Sequence, residues 1–188
     1  MSVRLRWAIV ALVLVVAGAI ALWPREEAPT AVAPLPQPLP VQTNLPTCSR
    51  QGVAVETMQG LKATCLADGS VTDVAQAFAG PVLVNVWGTW CAPCREELPV
   101  LSAYAAEPGA IPVVTVSVQS EQATSVALLR DLGVRLPALL DKDESVWKTL
   151  HPPRMPSSYL ITAQGEVNLV KDPIVFTSVA DVRKAVGQ

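Results

Sequence analysis

The sequence predicts an α/β sandwich in which helices cover both faces of one mixed sheet. Three observations carry that prediction. The runs Pro81–Trp87 (PVLVNVW) and Ile111–Val118 (IPVVTVSV) are nearly continuous and β-branched, the pattern of strands buried on both faces. Segments with helix-boundary residues alternate with strand-like runs along the chain. Of 188 residues 51% are hydrophobic and 16% charged, enough apolar material for one domain with a substantial core.

Each element has its own warrant. Val53-Ala54-Val55 and the stretch near Val71 read as short strands ahead of the central strand Pro81–Trp87. Cys91–Ala106 reads as a helix containing Pro99, which should kink it. The strand Ile111–Val118 follows, then a helix over Ser120–Leu132 with an acidic start and Gly133 just past its end. Leu136–Leu140 is a short strand and Asp143–Leu150 a short helix. Asp141, Asp143 and Glu144 mark that helix start; they lack the glycine and terminal ligand of a calcium loop. Ser158–Thr162 and Glu166–Val170 flank the turn Ala163-Gln164-Gly165, and so short a link forces them antiparallel. Ser178–Val186 closes the series as a helix.

Residues 1–46 have a different character. Arg4 and Arg6 precede an apolar run of 17 residues from Trp7 to Trp23, followed by Pro24, Arg25, Glu26 and Glu27. At about 1.5 Å per helical residue the run nearly spans a hydrocarbon core of roughly 30 Å. Residues 1–23 are therefore expected to be a signal anchor, with the arginines cytoplasmic and the rest of the chain outside. The alternative is a cleaved signal peptide, for which Ala19-Ile20-Ala21 offers a site, leaving a secreted protein. From Pro24 to Pro46, seven of 23 residues are proline, so 24–46 reads as a semi-rigid extended linker. The folded domain is then 47–188.

Several functions are excluded early. A formal net charge of -2 argues against nucleic-acid binding, which needs clustered Lys and Arg. One histidine makes a Ser/His/Asp hydrolase or a multi-histidine metal site improbable on arithmetic alone. Four cysteines remain as the main chemistry.

Two of them lie in Trp90-Cys91-Ala92-Pro93-Cys94, where a central strand gives way to a helix. The i, i+3 spacing puts both sulfurs in the first helical turn, near enough to bond. Unpaired amides and the helix dipole favour a thiolate at Cys91, making it a nucleophile near neutral pH. Cys94, one turn in, is placed to attack Cys91 in a mixed disulfide. Pro93 suits the start of a helix. Structural zinc lacks a second CxxC or further histidines. A copper carrier using Cys91, Cys94 and His151 is the competing reading from another functional class.

The run Val84-Asn85-Val86-Trp87-Gly88-Thr89-Trp90-Cys91-Ala92-Pro93-Cys94-Arg95-Glu96-Glu97-Leu98-Pro99 resembles the membrane-anchored, thioredoxin-like thiol–disulfide oxidoreductases of the TlpA/ResA/CcmG group. The resemblance spans roughly Val71 to Gly187. It implies a thioredoxin-like fold with Cys91 as the attacking and Cys94 as the resolving cysteine. It makes Pro156 the cis-proline facing the dithiol, with the Met155 backbone offering strand-like hydrogen bonds to a substrate peptide. Glu97 corresponds to the family's acidic residue and is a candidate proton acceptor; its plainer reading is a solvated helix acid. Asn85 stands where cytosolic thioredoxins carry a buried Asp, and Ala92 and Met155 also depart from common residues.

Cys48 and Cys65 are expected to form a structural disulfide, since an exported chain with an even cysteine count favours a second bridge. Trp90 is read as an apolar flank of the dithiol, Trp87 and Trp147 as packing, and His151 as a loop residue. The expected activity is thiol–disulfide exchange with protein substrates, without cofactor or metal. The resemblance favours a reductase acting on apocytochrome c or a copper-centre assembly protein, with electrons from a membrane redox partner. A disulfide-forming oxidase is the close alternative.

Overall fold

The structure, a computed structural model, describes residues 43–188 and, before them, Arg4, Trp7, Leu12, Leu14 and Val16, which are helical. Apart from those five positions the anchor expected at 1–23 lies outside the described residues, as does the linker up to residue 42. Among the described residues no helix is long and apolar enough to cross a membrane. The chain divides into two compact units, Met1–Gln37 and Pro38–Gln188, and the sheet belongs to the second.

The strands are β1 Lys62–Cys65, β2 Val71–Asp73, β3 Val82–Trp87, β4 Val113–Val118, β5 Ala138–Asp141, β6 Ser157–Ile161 and β7 Val167–Leu169. The helices are α1 Val74–Ala77, α2 Ala92–Ala105, α3 Gln122–Asp131, α4 Ser145–Leu150 and α5 Val179–Ala185, with a 3-10 turn at Glu56–Met58. One mixed sheet runs in the order β2-β1-β5-β4-β3-β6-β7. β4 lies between β3 and β5 and is parallel to both, and β6 and β7 add antiparallel on the far side of β3.

β3 and β4 are buried at every position, as their nearly continuous apolar text predicts. Their alternation divides the core. Val82, Val84, Val86, Val114, Val116 and Val118 join Met58, α1 and Val146 of α4 on one face. Leu83, Trp87 and Val113 join Leu98, Leu101 and Tyr104 of α2, Leu129 of α3 and Val182 of α5 on the other. Asn85 is fully buried on this second face, between Leu83 and Trp87.

Two differences from expectation lie in the first third of the domain. Val53–Val55 forms only an isolated bridge, Val53 to Gly80. Gly52, at φ +144°, turns the chain there, and the Val55 amide donates to the Ala75 carbonyl before the 3-10 turn begins. Only Val55 is buried, in the core cluster that includes α1, while Val53 and Ala54 stay exposed, so the segment builds no ladder. The strand actually present, β1, begins with exposed Lys62 and is too short and mixed to show a clear period. α1 follows β2 directly, started by the Asp73 carboxylate accepting the Gln76 amide.

Cys48 and Cys65 are joined by a disulfide with Cα atoms 5.8 Å apart, and both are buried. The bond fixes the segment ahead of the 3-10 turn to the end of β1, where Cys65 pairs with Leu139. Thr43 donates to the Ala67 carbonyl at 2.8 Å, and Leu45 packs against the second core cluster.

Candidate active site at the carboxyl edge of the sheet

β3 runs to Trp87, and the chain then turns through Gly88-Thr89-Trp90. The Cys91 amide donates to the Gly88 carbonyl at 3.1 Å, closing that turn and setting Cys91 at the N-cap of α2. The turn is tied to the next strand: the Thr89 amide donates to Ser120 Oγ at 3.1 Å, and Ser120 donates to the Val118 carbonyl at 2.9 Å. The start of α2 is therefore held by two parallel strands.

Cys91 and Cys94 are joined by a disulfide with Cα atoms 5.3 Å apart. The Cys94 amide donates to Cys91 Sγ at 3.3 Å, so the sulfur itself occupies the capping position. This is where a helix presents unpaired amides and the positive end of its dipole, an arrangement that favours a thiolate after reduction. Cys91 keeps 4% of its surface exposed and Cys94 none, so an incoming sulfur has access to Cys91 alone.

The other expected residues gather at the same edge. The Met155–Pro156 peptide is cis, and buried Pro156 immediately precedes β6. Ser157 pairs with Val86, which sets Pro156 beside the end of β3 from which the dithiol departs. Met155 is half-buried and packs against the cluster that contains Cys91 and Cys94. Trp90 is 56% exposed, and its indole lies over Gly88, where an added Cβ would come within 2.7 Å of Nε1. The ring covers the turn that delivers Cys91.

Glu97 is not a solvated helix acid. The buried residues of α2 are Cys94, Glu97, Leu98, Leu101 and Tyr104, a single stripe facing the sheet, and Glu97 lies within it at 1% exposure. Its Oε1 accepts the Phe176 amide at 2.8 Å, and its Oε2 accepts Asn85 Nδ2 at 2.7 Å. Burial pushes the carboxyl up to about 7, against the opposing pull of these two donors. A carboxyl one turn beyond Cys94 that titrates near neutrality can accept and return a proton under ordinary conditions.

Asn85 Nδ2 also donates to Ser158 Oγ at 2.9 Å, so one amide links α2 to β6 across β3. Asn85 Oδ1 and Trp87 Nε1, both buried on this face, have no partner. Sequence reasoning passed over Ser158 and Phe176. A position opposite Asn85 in β6 is available from strand register, which marks Ser158 once β3 and β6 are paired; nothing local marks Phe176, 79 residues from Glu97.

His151 is exposed at the C-cap of α4, at φ +46°, with Nδ1 3.2 Å from the Thr149 carbonyl. Among the described residues no three His, Cys, Asp or Glu side chains are grouped to hold a metal ion; Cys91 and Cys94 are bonded to each other, and His151 stands at the end of α4. The acidic run is a helix start as expected: Asp141 accepts the Val146 and Trp147 amides at 3.1 and 2.7 Å.

A family profile described as AhpC/TSA matches residues 56–170, more than half of the chain. The thiol-disulfide oxidoreductase ResA of Bacillus subtilis is 30% identical over 88 residues, covering 46% of this chain and 49% of its own. The chain spans about half the length of the curated relatives it matches. A secreted disulfide oxidoreductase of Mycobacterium tuberculosis superposes with TM-score 0.61 at 25% identity, covering 71% of this chain and 98% of that one. A thioredoxin-family thiol:disulfide interchange protein of Chlorobium tepidum superposes with TM-score 0.56 at 19% identity, over 74% of this chain and 97% of that one. The fold is thioredoxin-like.

Proposed function

The chain belongs to the AhpC/TSA family, and from that premise we propose that it is a thiol–disulfide oxidoreductase acting through Cys91 and Cys94. One observation carries the reading: Cys91 Sγ caps α2 and is bonded to a fully buried Cys94 one turn in. In the reduced protein the Cys91 thiolate attacks one sulfur of a substrate disulfide, forming a mixed disulfide and releasing the other substrate sulfur as a thiolate. Cys94 then passes its thiol proton to the Glu97 carboxylate and attacks Cys91 Sγ. The intermolecular bond breaks, the second substrate thiolate leaves, and Cys91–Cys94 is restored. Two electrons move to the substrate, whose thiolates take up protons from Glu97 and water. Run backwards, the same steps donate the disulfide.

The Met155 backbone and Pro156 would receive the substrate as an added strand, with Trp90 as an apolar flank. We place the domain outside the cytoplasm, tethered through residues 1–23. Arg4 and Arg6 before the apolar run support this, as does the buried Cys48–Cys65 bond, a feature of oxidising compartments. Reduction of protein disulfides in cytochrome c maturation or a related assembly is the direction we favour, driven by a membrane redox partner. The name of ResA, a thiol-disulfide oxidoreductase, supports the chemistry and leaves its direction to measurement. The reduction potential of the Cys91–Cys94 pair decides it. A value near about -270 mV is expected for a reductase, and one near about -120 mV would make the protein a disulfide donor instead. Full-length Cys94→Ser protein, which stalls at the mixed disulfide, will capture the substrate.

A further inference from the structure

Asn85 uses both amide donors and leaves its acceptor without a partner. Its orientation is therefore set by what pulls on Nδ2, and two groups do so: Glu97 Oε2 at 2.7 Å and Ser158 Oγ at 2.9 Å. Turning the amide over would face Oδ1, an acceptor, toward the carboxylate and repel it, while a protonated carboxyl would bond to it. Which end of Asn85 faces α2 thus biases the proton on Glu97: the carboxylate, which only accepts, selects the donor end, and Ser158 Oγ, accepting the second Nδ2 hydrogen, anchors the amide in that place.

We infer that Ser158 is a positioning residue for the exchange reaction: acting through Asn85, its hydroxyl locks the amide donor onto Glu97 and so keeps that carboxyl ready to accept the Cys94 proton. The inference rests on the oxidoreductase reading for its functional meaning, while the clamp itself rests on geometry. Ser158 lies on β6 two residues after Pro156, so one strand carries both the proposed peptide edge and the clamp.

The surroundings of Glu97 contain little else that titrates. From β3 it meets Asn85; from the segment before α5 it meets the Phe176 amide; on its own helix its buried neighbours are Cys94, Leu98, Leu101 and Tyr104. The charged groups of α5 are engaged elsewhere at the surface, Arg183 with Glu107 and Lys184 with Asp172, and Asp181 with the α5 cap. Among the described residues no cation offsets the carboxylate, which leaves neutral donors to hold it. Losing one hydrogen bond of ordinary strength from such a clamp corresponds to roughly half to one pH unit.

The test uses the full-length chain with 13C-labelled glutamate, following the Glu97 carboxyl by NMR across pH, beside the pH profile of exchange with glutathione disulfide. Ser158→Ala is expected to move both midpoints upward by roughly half to one pH unit, and Ser158→Thr, which keeps the hydroxyl, to restore them. An unmoved Glu97 midpoint in Ser158→Ala, or a Ser158→Thr midpoint displaced as far as that of Ser158→Ala, overturns the clamp. A Glu97 midpoint that moves as expected in a protein showing no exchange at any pH upholds the clamp and overturns the oxidoreductase reading.

Discussion

The two disulfides are almost equally hidden, yet they sit in different chemical surroundings. Cys48 and Cys65 retain 2% and 1% of their surface, and Cys91 and Cys94 retain 4% and 0%. Exposure alone does not separate them. Cys48 and Cys65 lie in an apolar cluster and close a long loop, with a sequence separation of 17. Cys91 caps a helix, receives an amide hydrogen bond on its sulfur, and has a buried carboxyl one turn past its partner. On the proposed reading, a redox pair is recognised by what stabilises a thiolate and moves a proton, and a bridge that lacks both serves by restricting the unfolded chain.

The sharpest way to break this contrast is to disable each bridge in turn. Cys91→Ser should lower the exchange rate by roughly three orders of magnitude or more. The double change Cys48→Ser and Cys65→Ser should leave the exchange rate within about twofold while lowering stability by about 3 kcal/mol. Stopped-flow exchange and urea unfolding of both proteins read the two effects separately. A comparable rate loss in the double variant would mean that the two bridges exchange electrons.

Glu97 sharpens the comparison through pH. Its folded value of about 7 lies above the ordinary carboxyl value of 4.5, so the folded state holds the proton more tightly than the unfolded chain. The resulting stability is fully present below the unfolded value and is lost as pH rises through the folded one. The loss is on the order of 3 kcal/mol between pH about 4.5 and 7.5. Glu97→Gln carries no titrating carboxyl and should flatten that dependence, while slowing resolution of the mixed disulfide. Urea unfolding of the oxidised proteins across this range checks it; a wild-type curve already flat would show that the carboxyl is not held neutral by burial.

Gly88→Ala gives the smallest effect. The new Cβ would meet the Trp90 indole, which is exposed and can swing aside, so stability should fall by less than about 1 kcal/mol. If Trp90 flanks the substrate, KM should rise severalfold with kcat nearly unchanged; an unchanged KM would remove Trp90 from the substrate surface.

Much of this was legible in the chain. β3 and β4 announce themselves because strands buried on both faces are nearly continuous in apolar, β-branched residues, broken here only by Asn85, Thr115 and Ser117, and Cys91-Ala92-Pro93-Cys94 marks the junction of strand and helix. The early strands were harder, since β1 and β2 are short and partly exposed and Val53–Val55 makes only an isolated bridge and buries Val55 alone. Glu97 illustrates a clue that was present: it falls on the stripe shared by Cys94, Leu98 and Leu101, where a solvated acid does not belong. Its partners were not legible, because the Phe176 amide and the Ser158 hydroxyl reach this site only through tertiary folding. Trp87 read correctly as core, though its unpartnered Nε1 is visible only in three dimensions.

The account stands most directly on the ionisation of one sulfur. In the reduced full-length protein, the rate of iodoacetamide alkylation at Cys91 should follow a thiolate whose pKa lies well below the value of about 8.5 for a free thiol. A midpoint at or above about 8.5 would contradict it, because Cys91 would then gain nothing from its place at the head of α2.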